Sequence, residues 1–296
     1  MNTGADESVG ALPLVSIGMP VWNCQRTLGS AIRSILHQSY PHWELLVVDD
    51  GSVDKTVEIA RGFADPRIRV MADGCHKRIS ARLNEALLAS RGKYFARMDG
   101  DDVAYPERLA AQLEYLRSHP DIDVVGSSML VFFGDFQPRG KRLVPEAHED
   151  ICRDPINGFW LAHPTFLGKL EWFQRNMYGE QMSLIEDQEL LLRTYSSSRF
   201  ANLPAILTGY RENGVNIRNN LKGRMMLLGC QGRHYYNAGE WLNITKAAFV
   251  HLSKTAVYGL FAGLGLMPIL LRHRAGTPLS EPELREWGRI TATIKE

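Results

Sequence analysis

Between Leu14 and Met98, short apolar runs alternate with segments whose apolar residues recur every three or four positions. This is the mark of β-α-β units built on a mostly parallel sheet. The run LVSIGM (14–19) predicts a first strand, and Leu28, Ile32, Ile35 and Leu36 then share one helical face until SYPHW breaks it. ELLVV (44–48) predicts the second strand. A helix follows to about Phe63, with Ser52 or Asp54 placed to satisfy its first amides, and Asp65-Pro66 ends it before the strand RIRVM (67–71). Ile79, Leu83, Ala86 and Leu87 predict a helix over 79–90 that stops at Arg91-Gly92, ahead of the strand KYFARM (93–98).

Pro106 suits the first turn of a helix that runs to about Ser118, closed by His119-Pro120, and 122–133 is strand-like. FQPRGKRLVPEAHED then reads as loop, so the regular half is expected to give way near residue 135 to a less regular one. Within it the pattern predicts a strand around 159–167, a helix over 187–195 and a strand near 205–210. The boundaries expected are a disordered leader at 1–13, a catalytic unit at 14–212 divided near 134/135, and a helical C-terminal region at 213–296. In that last region RMMLLGCQGRHYY (224–236) is expected to pack on the catalytic unit, and LSEPELREW (279–287) to form a small capped helix.

Composition narrows the function classes. The chain has 296 residues, 45% of them hydrophobic, enough for a sizeable core. Its 34 Lys and Arg against 33 Asp and Glu give no reason to expect nucleic acid as a partner. Cys24, Cys75, Cys152 and Cys230 are widely spaced and form no CxxC pair, which points to reduced thiols rather than a zinc site or a disulfide framework. The N-terminal segment lacks the basic-then-apolar order of a signal peptide.

The candidate chemistry sits where two predicted parallel strands end: Asp49-Asp50-Gly51-Ser52, and Asp99-Gly100-Asp101-Asp102. In open α/β sheets the ligand crevice lies outside the carboxyl ends of the strands, so the two acidic clusters are expected on one edge. Side-chain alternation turns Asp99 and Asp101 to one side, and hard Mn²⁺ or Mg²⁺ takes such oxygens together with substrate phosphates. Alone, DGDD reads as readily as a turn.

The motifs SIGMPVWN (16–23), LLVVDDGSVDKT (45–56), RISARLNEALLASRGKYFARMDGDD (78–102), HPTFLGK (163–169) and IEDQELLLR (185–193) occur in that order. Together they resemble the family 2 glycosyltransferases over about 14–212. The resemblance implies the GT-A fold: a Rossmann-like, mostly parallel central sheet flanked by helices, here with a helical C-terminal extension. It implies an inverting enzyme that moves a sugar from a nucleotide diphosphate, usually UDP-linked, to an acceptor hydroxyl with the help of Mn²⁺ or Mg²⁺. Carried over by position, it has Pro20, Val21 and Asn23 line the nucleotide pocket, and Asp50, or second to it Asp49, accept from the imide N–H of the base. Arg78, with Arg82 as competitor, would lie near base and diphosphate. Asp99 would hold ribose or metal and Asp101 would be the chief metal ligand, with Asp102 a further candidate. His163 and Thr165 would mark the acceptor region. Asp187, with Glu186 second, would be the base that takes the acceptor proton.

No Q-x-x-R-W element follows Asp187, so one sugar per encounter is expected, to a saccharide or lipid-linked saccharide of a bacterial surface polysaccharide. The uncharged run TAVYGLFAGLGLMPILL (255–271), between Lys254 and RHR (272–274), is short for a membrane span and suits an interfacial segment. A packed core helix, an oligomer contact and a single membrane span are the other readings. A cytoplasmic location at the inner membrane face follows from the first of these. A nucleotidyltransferase or a dinucleotide oxidoreductase would need a glycine-rich loop after the first strand, where PVWNCQRTL stands. A nucleotide-sugar-binding scaffold subunit without activity is the remaining alternative.

Overall fold

The structure, a computed structural model, describes residues 12–212, 214, 216–266 and 276–295. The leader up to residue 11 and the end of the apolar run, 267–271, lie outside the described residues, as does the basic RHR.

Strands β1 (Val15–Val21), β2 (Trp43–Asp49), β3 (Ile68–Ala72) and β4 (Tyr94–Arg97) alternate with helices α1 (Leu28–Leu36), α2 (Thr56–Arg61) and α3 (Arg78–Ala89). The chain continues through β5 (Val103–Ala104), α4 (Arg108–Ser118), β6 (Val124–Phe133), β7 (Gln137–Arg142) and α5 (His148–Ile151). A 3-10 turn (His163–Thr165), β8 (Leu167–Lys169), α6 (Leu170–Arg175), α7 (Glu186–Thr194) and β9 (Phe200–Arg211) complete the sheet region. Helices α8 (Ile217–Asn237), α9 (Trp241–Gly263) and α10 (Glu281–Lys295) follow.

The strands form one sheet in the order β3-β2-β1-β4-β8-β6-β9-β5, with β7 on β6 off that path. Strands β3, β2, β1 and β4 are mutually parallel, β8 is antiparallel to both β4 and β6, and β9 runs parallel to β6. All seven residues of β1 and of β2 are buried, because helices cover both faces of a parallel sheet. Val15, Ile17, Met19 and Val21 of β1 pack with α1, α2 and α4 on one face, while Leu46 and Val48 of β2 pack with α3, α6 and α7 on the other. Between them Gly18 is required by close approach: a Cβ there would clash with the ring of Phe95. A third cluster seats Trp287, Ile290 and Ile294 of α10 against Val103, Leu130 and Phe132.

Several expectations need correction. The stretch read as loop after residue 135 contains β7, which forms a hairpin with β6 and carries a register shift at Val131/Phe132. Its half-exposed charges and Pro138 hide it, since an edge strand shows no apolar run. The strand expected over 159–167 is instead the 3-10 turn, with Pro164 in it, followed by the three-residue β8. The last strand is twice as long as expected, and the small C-terminal helix spans 15 residues, opened by Ser280, whose amide and hydroxyl both donate to Glu283. Ser52 does not cap α2: its hydroxyl accepts from the Asn23 amide at 2.9 Å, and Asp54 takes the Thr56 amide at 2.9 Å. Pro13, assigned to the leader, is tied down through its carbonyl by the Tyr40 hydroxyl at 2.5 Å.

Candidate active site

Strands β1, β2 and β4 end side by side, and each is followed by a loop with polar residues. The first two loops are stapled together: the Asn23 side-chain carbonyl accepts from the Val53 amide at 3.0 Å, and the Asp50 amide donates to the Val21 carbonyl at 2.8 Å. Asn23 takes a left-handed φ of 52° to do so. Pro20 and Val21, expected to line the pocket, remain buried inside β1, whereas Trp22, Asn23 and Cys24 face a cavity of about 950 Å³ that also holds Asp101, Phe136 and Arg211.

The two aspartates after β2 differ sharply. Asp50, 5% exposed, accepts from the amides of Lys77 (2.6 Å) and Arg78 (3.0 Å) and from Arg82 Nε (3.1 Å), and His76 Nδ1 lies 2.9 Å away. Arg82, 1% exposed, reaches onward to Asp73 and Glu85, both at 2.7 Å. Gly51 permits this closure, because its φ is 73° and a Cβ would press on the Cys75 backbone at 2.9 Å. Asp49 instead uses only Oδ2, toward the Gly51 and Ser52 amides at 3.0 Å each, and its buried Oδ1 has no partner among the described residues. Asp49, 2% exposed, keeps one buried oxygen without a partner among the described residues, whereas Asp50 anchors the start of α3. Arg82 is likewise structural. Arg78, exposed and at a φ of 72°, borders a second cavity of about 850 Å³ with Asn84, Tyr178 and Glu180.

After β4, Asp99, Asp101 and Asp102 each offer a carboxylate oxygen within 4.8 Å of the others. Burial first, then the neighbouring charge of Asp99, pushes Asp101 up to about 6, and the same causes hold Asp102 well above the usual carboxylate range. Asp102 accepts the Arg211 amide at 2.8 Å on one oxygen, and its other buried oxygen is unpartnered among the described residues. Gly100 allows the turn, since a Cβ would sit 2.7 Å from Val21 Cγ1. Hard oxygen donors, crowded negative charge and an orphaned buried oxygen fit Mn²⁺ or Mg²⁺.

The 3-10 turn, Tyr178 and the start of α7 lie close to Arg97 and within reach of the charge of Asp99. His163 Nε2 lies 2.9 Å from the Tyr178 hydroxyl and Nδ1 3.6 Å from Glu186. Burial, then the charge of Arg97, pushes His163 down to about 3, so the ring is neutral at physiological pH. Glu186 is buried and accepts the Leu184 amide at 2.9 Å, whereas Asp187 is half-buried and, among the described residues, takes the Gln188 side-chain amide at 3.2 Å. Thr165 does not reach the cleft: its buried hydroxyl donates to Ala162 and accepts from the Ser127 amide inside the fold.

Sequence reading missed Arg97, whose buried guanidinium pairs with Asp99 at 2.5 Å and feels Asp102, Tyr178 and Glu186, linking the acidic cluster to the start of α7. An arginine inside an otherwise apolar buried strand, two residues before Asp99, was the available signal. Tyr178 and Arg211 carried none.

Residues 16–181, more than half of the chain, match the profile described as glycosyl transferase family 2. EpsE of Bacillus subtilis (strain 168) is 44% identical over 209 residues, covering 68% of this chain and 74% of its own. The Escherichia coli UDP-Glc:alpha-D-GlcNAc-diphosphoundecaprenol beta-1,3-glucosyltransferase WfgD is 37% identical over 35% of this chain and 41% of its own. Among solved structures, S. aureus TarS 1-349 in complex with UDP-GlcNAc superposes with a TM-score of 0.64 at 18% identity, over 96% of this chain and 80% of that one. Mannosyltransferase PcManGT from Pyrobaculum calidifontis, in complex with GDP-Man and Mn²⁺, does so at 0.57 and 18%, over 96% and 85%. These neighbours share the GT-A fold, and the chain belongs to glycosyl transferase family 2.

Proposed function

We propose that this chain is an inverting glycosyltransferase that moves one sugar from a UDP-sugar to an acceptor hydroxyl in the synthesis of a bacterial surface polysaccharide. The observation that carries the reading is the three-carboxylate cluster after β4, set in a polar cleft and linked through buried Arg97 to the start of α7, which presents Asp187. UDP-GlcNAc in the TarS complex and the UDP-Glc donor in the name of WfgD support the donor class. The lipid diphosphate in that name supports a lipid-linked acceptor.

Asp49 Oδ1, buried and without a partner among the described residues, takes the base imide N–H, Asn23 and Trp22 border the nucleotide, and Arg78 reaches toward base and diphosphate from the neighbouring cavity. Asp101 and Asp99, with Asp102 beside them, would hold Mn²⁺ or Mg²⁺, which would supply positive charge to neutralise the departing diphosphate. Asp187 takes the proton of the acceptor hydroxyl as it attacks the anomeric carbon from the face opposite the diphosphate. Buried Glu186 and neutral His163 fix the start of α7 and so position that carboxylate. Direct displacement then converts an α-linked donor into a β-linked product.

The test is UDP release by purified protein with Mn²⁺, a panel of UDP-sugars and saccharide acceptors. Asp187→Asn is expected to lower turnover by about 10²- to 10⁴-fold with UDP affinity unchanged. Donor binding without turnover across a broad acceptor panel would sink the enzymatic reading in favour of a binding scaffold.

A further inference from the structure

Helix α9 has a buried side and, opposite it, an exposed apolar one. One side, with Ala247 and His251, is buried, and His251 bonds Gln231 of α8 at 2.9 Å. At 100° per residue, Trp241, Leu242, Phe249, Leu252 and Leu260 fall on the other side, and all five are exposed, Phe249 by 72%. Exposed large apolar side chains in one stripe mark a contact surface. The tip of the α8–α9 hairpin adds an exposed aromatic pair, Tyr236 and Trp241, with ring centroids 5.0 Å apart.

Charge identifies the occupant. Residues 216–266 carry six Lys or Arg against one acidic residue, Glu240, while the remaining chain holds 28 basic against 32 acidic residues. Arg218, Lys222 and Arg233 recur at helical spacing on the exposed side of α8, and Lys246 borders the stripe on α9. A second copy meeting the same face would set like charges together. An anionic lipid surface complements both features: basic side chains meet phosphate headgroups, the apolar stripe enters below them, and Tyr and Trp suit the boundary. Among the described residues no helix is long and apolar enough to cross a membrane, so such a contact would leave the hairpin in the interface plane.

We propose that the α8–α9 hairpin docks this protein on an anionic phospholipid bilayer, with the outward stripe of α9 as the inserted face. Docking does not depend on the transfer reaction, although it would hold the cleft beside a lipid-linked acceptor.

The full chain is sedimented with vesicles of phosphatidylcholine alone or with about a third phosphatidylglycerol, a content that sets a negative surface potential. Each Lys or Arg near such a surface strengthens binding roughly fivefold, so partitioning is expected to be at least about tenfold stronger on the anionic vesicles and to weaken with salt. The triple variant Phe249→Ser, Leu252→Ser, Leu260→Ser and, separately, Lys222→Glu with Arg233→Glu should each lower it at least about tenfold. UDP affinity and melting temperature should not change, because the substituted side chains are exposed. Absence of binding to anionic vesicles, equal binding to both, or a stable dimer that the triple variant converts to monomer overturns the proposal. UDP release onto a soluble acceptor, measured on the same samples, reports the transfer reading separately.

Discussion

The division of labour between Asp49 and Asp50 is open to a direct exchange experiment. In Asp50→Asn, one oxygen that faces N–H donors becomes an N–H₂ group, and the negative charge beside the 1%-exposed Arg82 is lost. Hydrogen bonds to a charged group contribute about 1.5–3 kcal/mol each, and Arg82 keeps Asp73 and Glu85, so the loss stops short of that for a stranded buried charge. The expected destabilisation is about 2–4 kcal/mol, or roughly 3–6 °C in melting temperature for a chain of this size. In Asp49→Asn, the amide oxygen can still accept from Gly51 and Ser52, so folding should change by less than about 1 kcal/mol. The group replacing Oδ1 is then a donor facing the donor of the base. Loss of one charge-assisted hydrogen bond predicts a roughly 10- to 150-fold weaker UDP affinity. Calorimetric titration with UDP and thermal melts of both variants give the answer. If Asp50→Asn loses UDP affinity at an unchanged melting temperature while Asp49→Asn is destabilised, the assignment is refuted.

Asp101 is raised to about 6 while an unfolded aspartate titrates near 4, so the native state holds the extra proton between these values. The Asp101 contribution to the stability of the metal-free protein should therefore fall as pH rises from about 4 to about 6, with Asp102, held high by the same causes, carrying the fall further, and added Mn²⁺ should recover it; melts with and without chelator check this. Gly100→Ala places a Cβ 2.7 Å from Val21 Cγ1 and should cost about 1–3 kcal/mol while displacing the carboxylates, read as a lower melting temperature and weaker Mn²⁺ affinity. Because His163 is held down to about 3, the pH–rate profile should show no inflection from it near neutrality, and His163→Gln should leave the shape of that profile unchanged while lowering the rate.

The parallel half of this protein is legible in its local sequence pattern. Apolar runs such as ELLVV and the helical spacing of Leu28, Ile32 and Ile35 are local signals, and they locate β1 to β4 and their helices to within a residue or two. They also place both acidic clusters at strand ends on one sheet edge, because a parallel sheet brings its carboxyl ends together. Edge strand β7, the two-residue β5 and the 3-10 turn before β8 were beyond reach, since each is held by partners distant in the chain rather than by its own pattern. The same reason governs the site. Whether an aspartate is spent on the fold or left open depends on which N–H groups the fold brings to it, and Lys77, Arg78 and Arg82 reach Asp50 from about thirty residues away. Only the tertiary structure could show Asp49 with an unused oxygen, Arg97 between the acidic cluster and α7, and α9 with an apolar face turned outward.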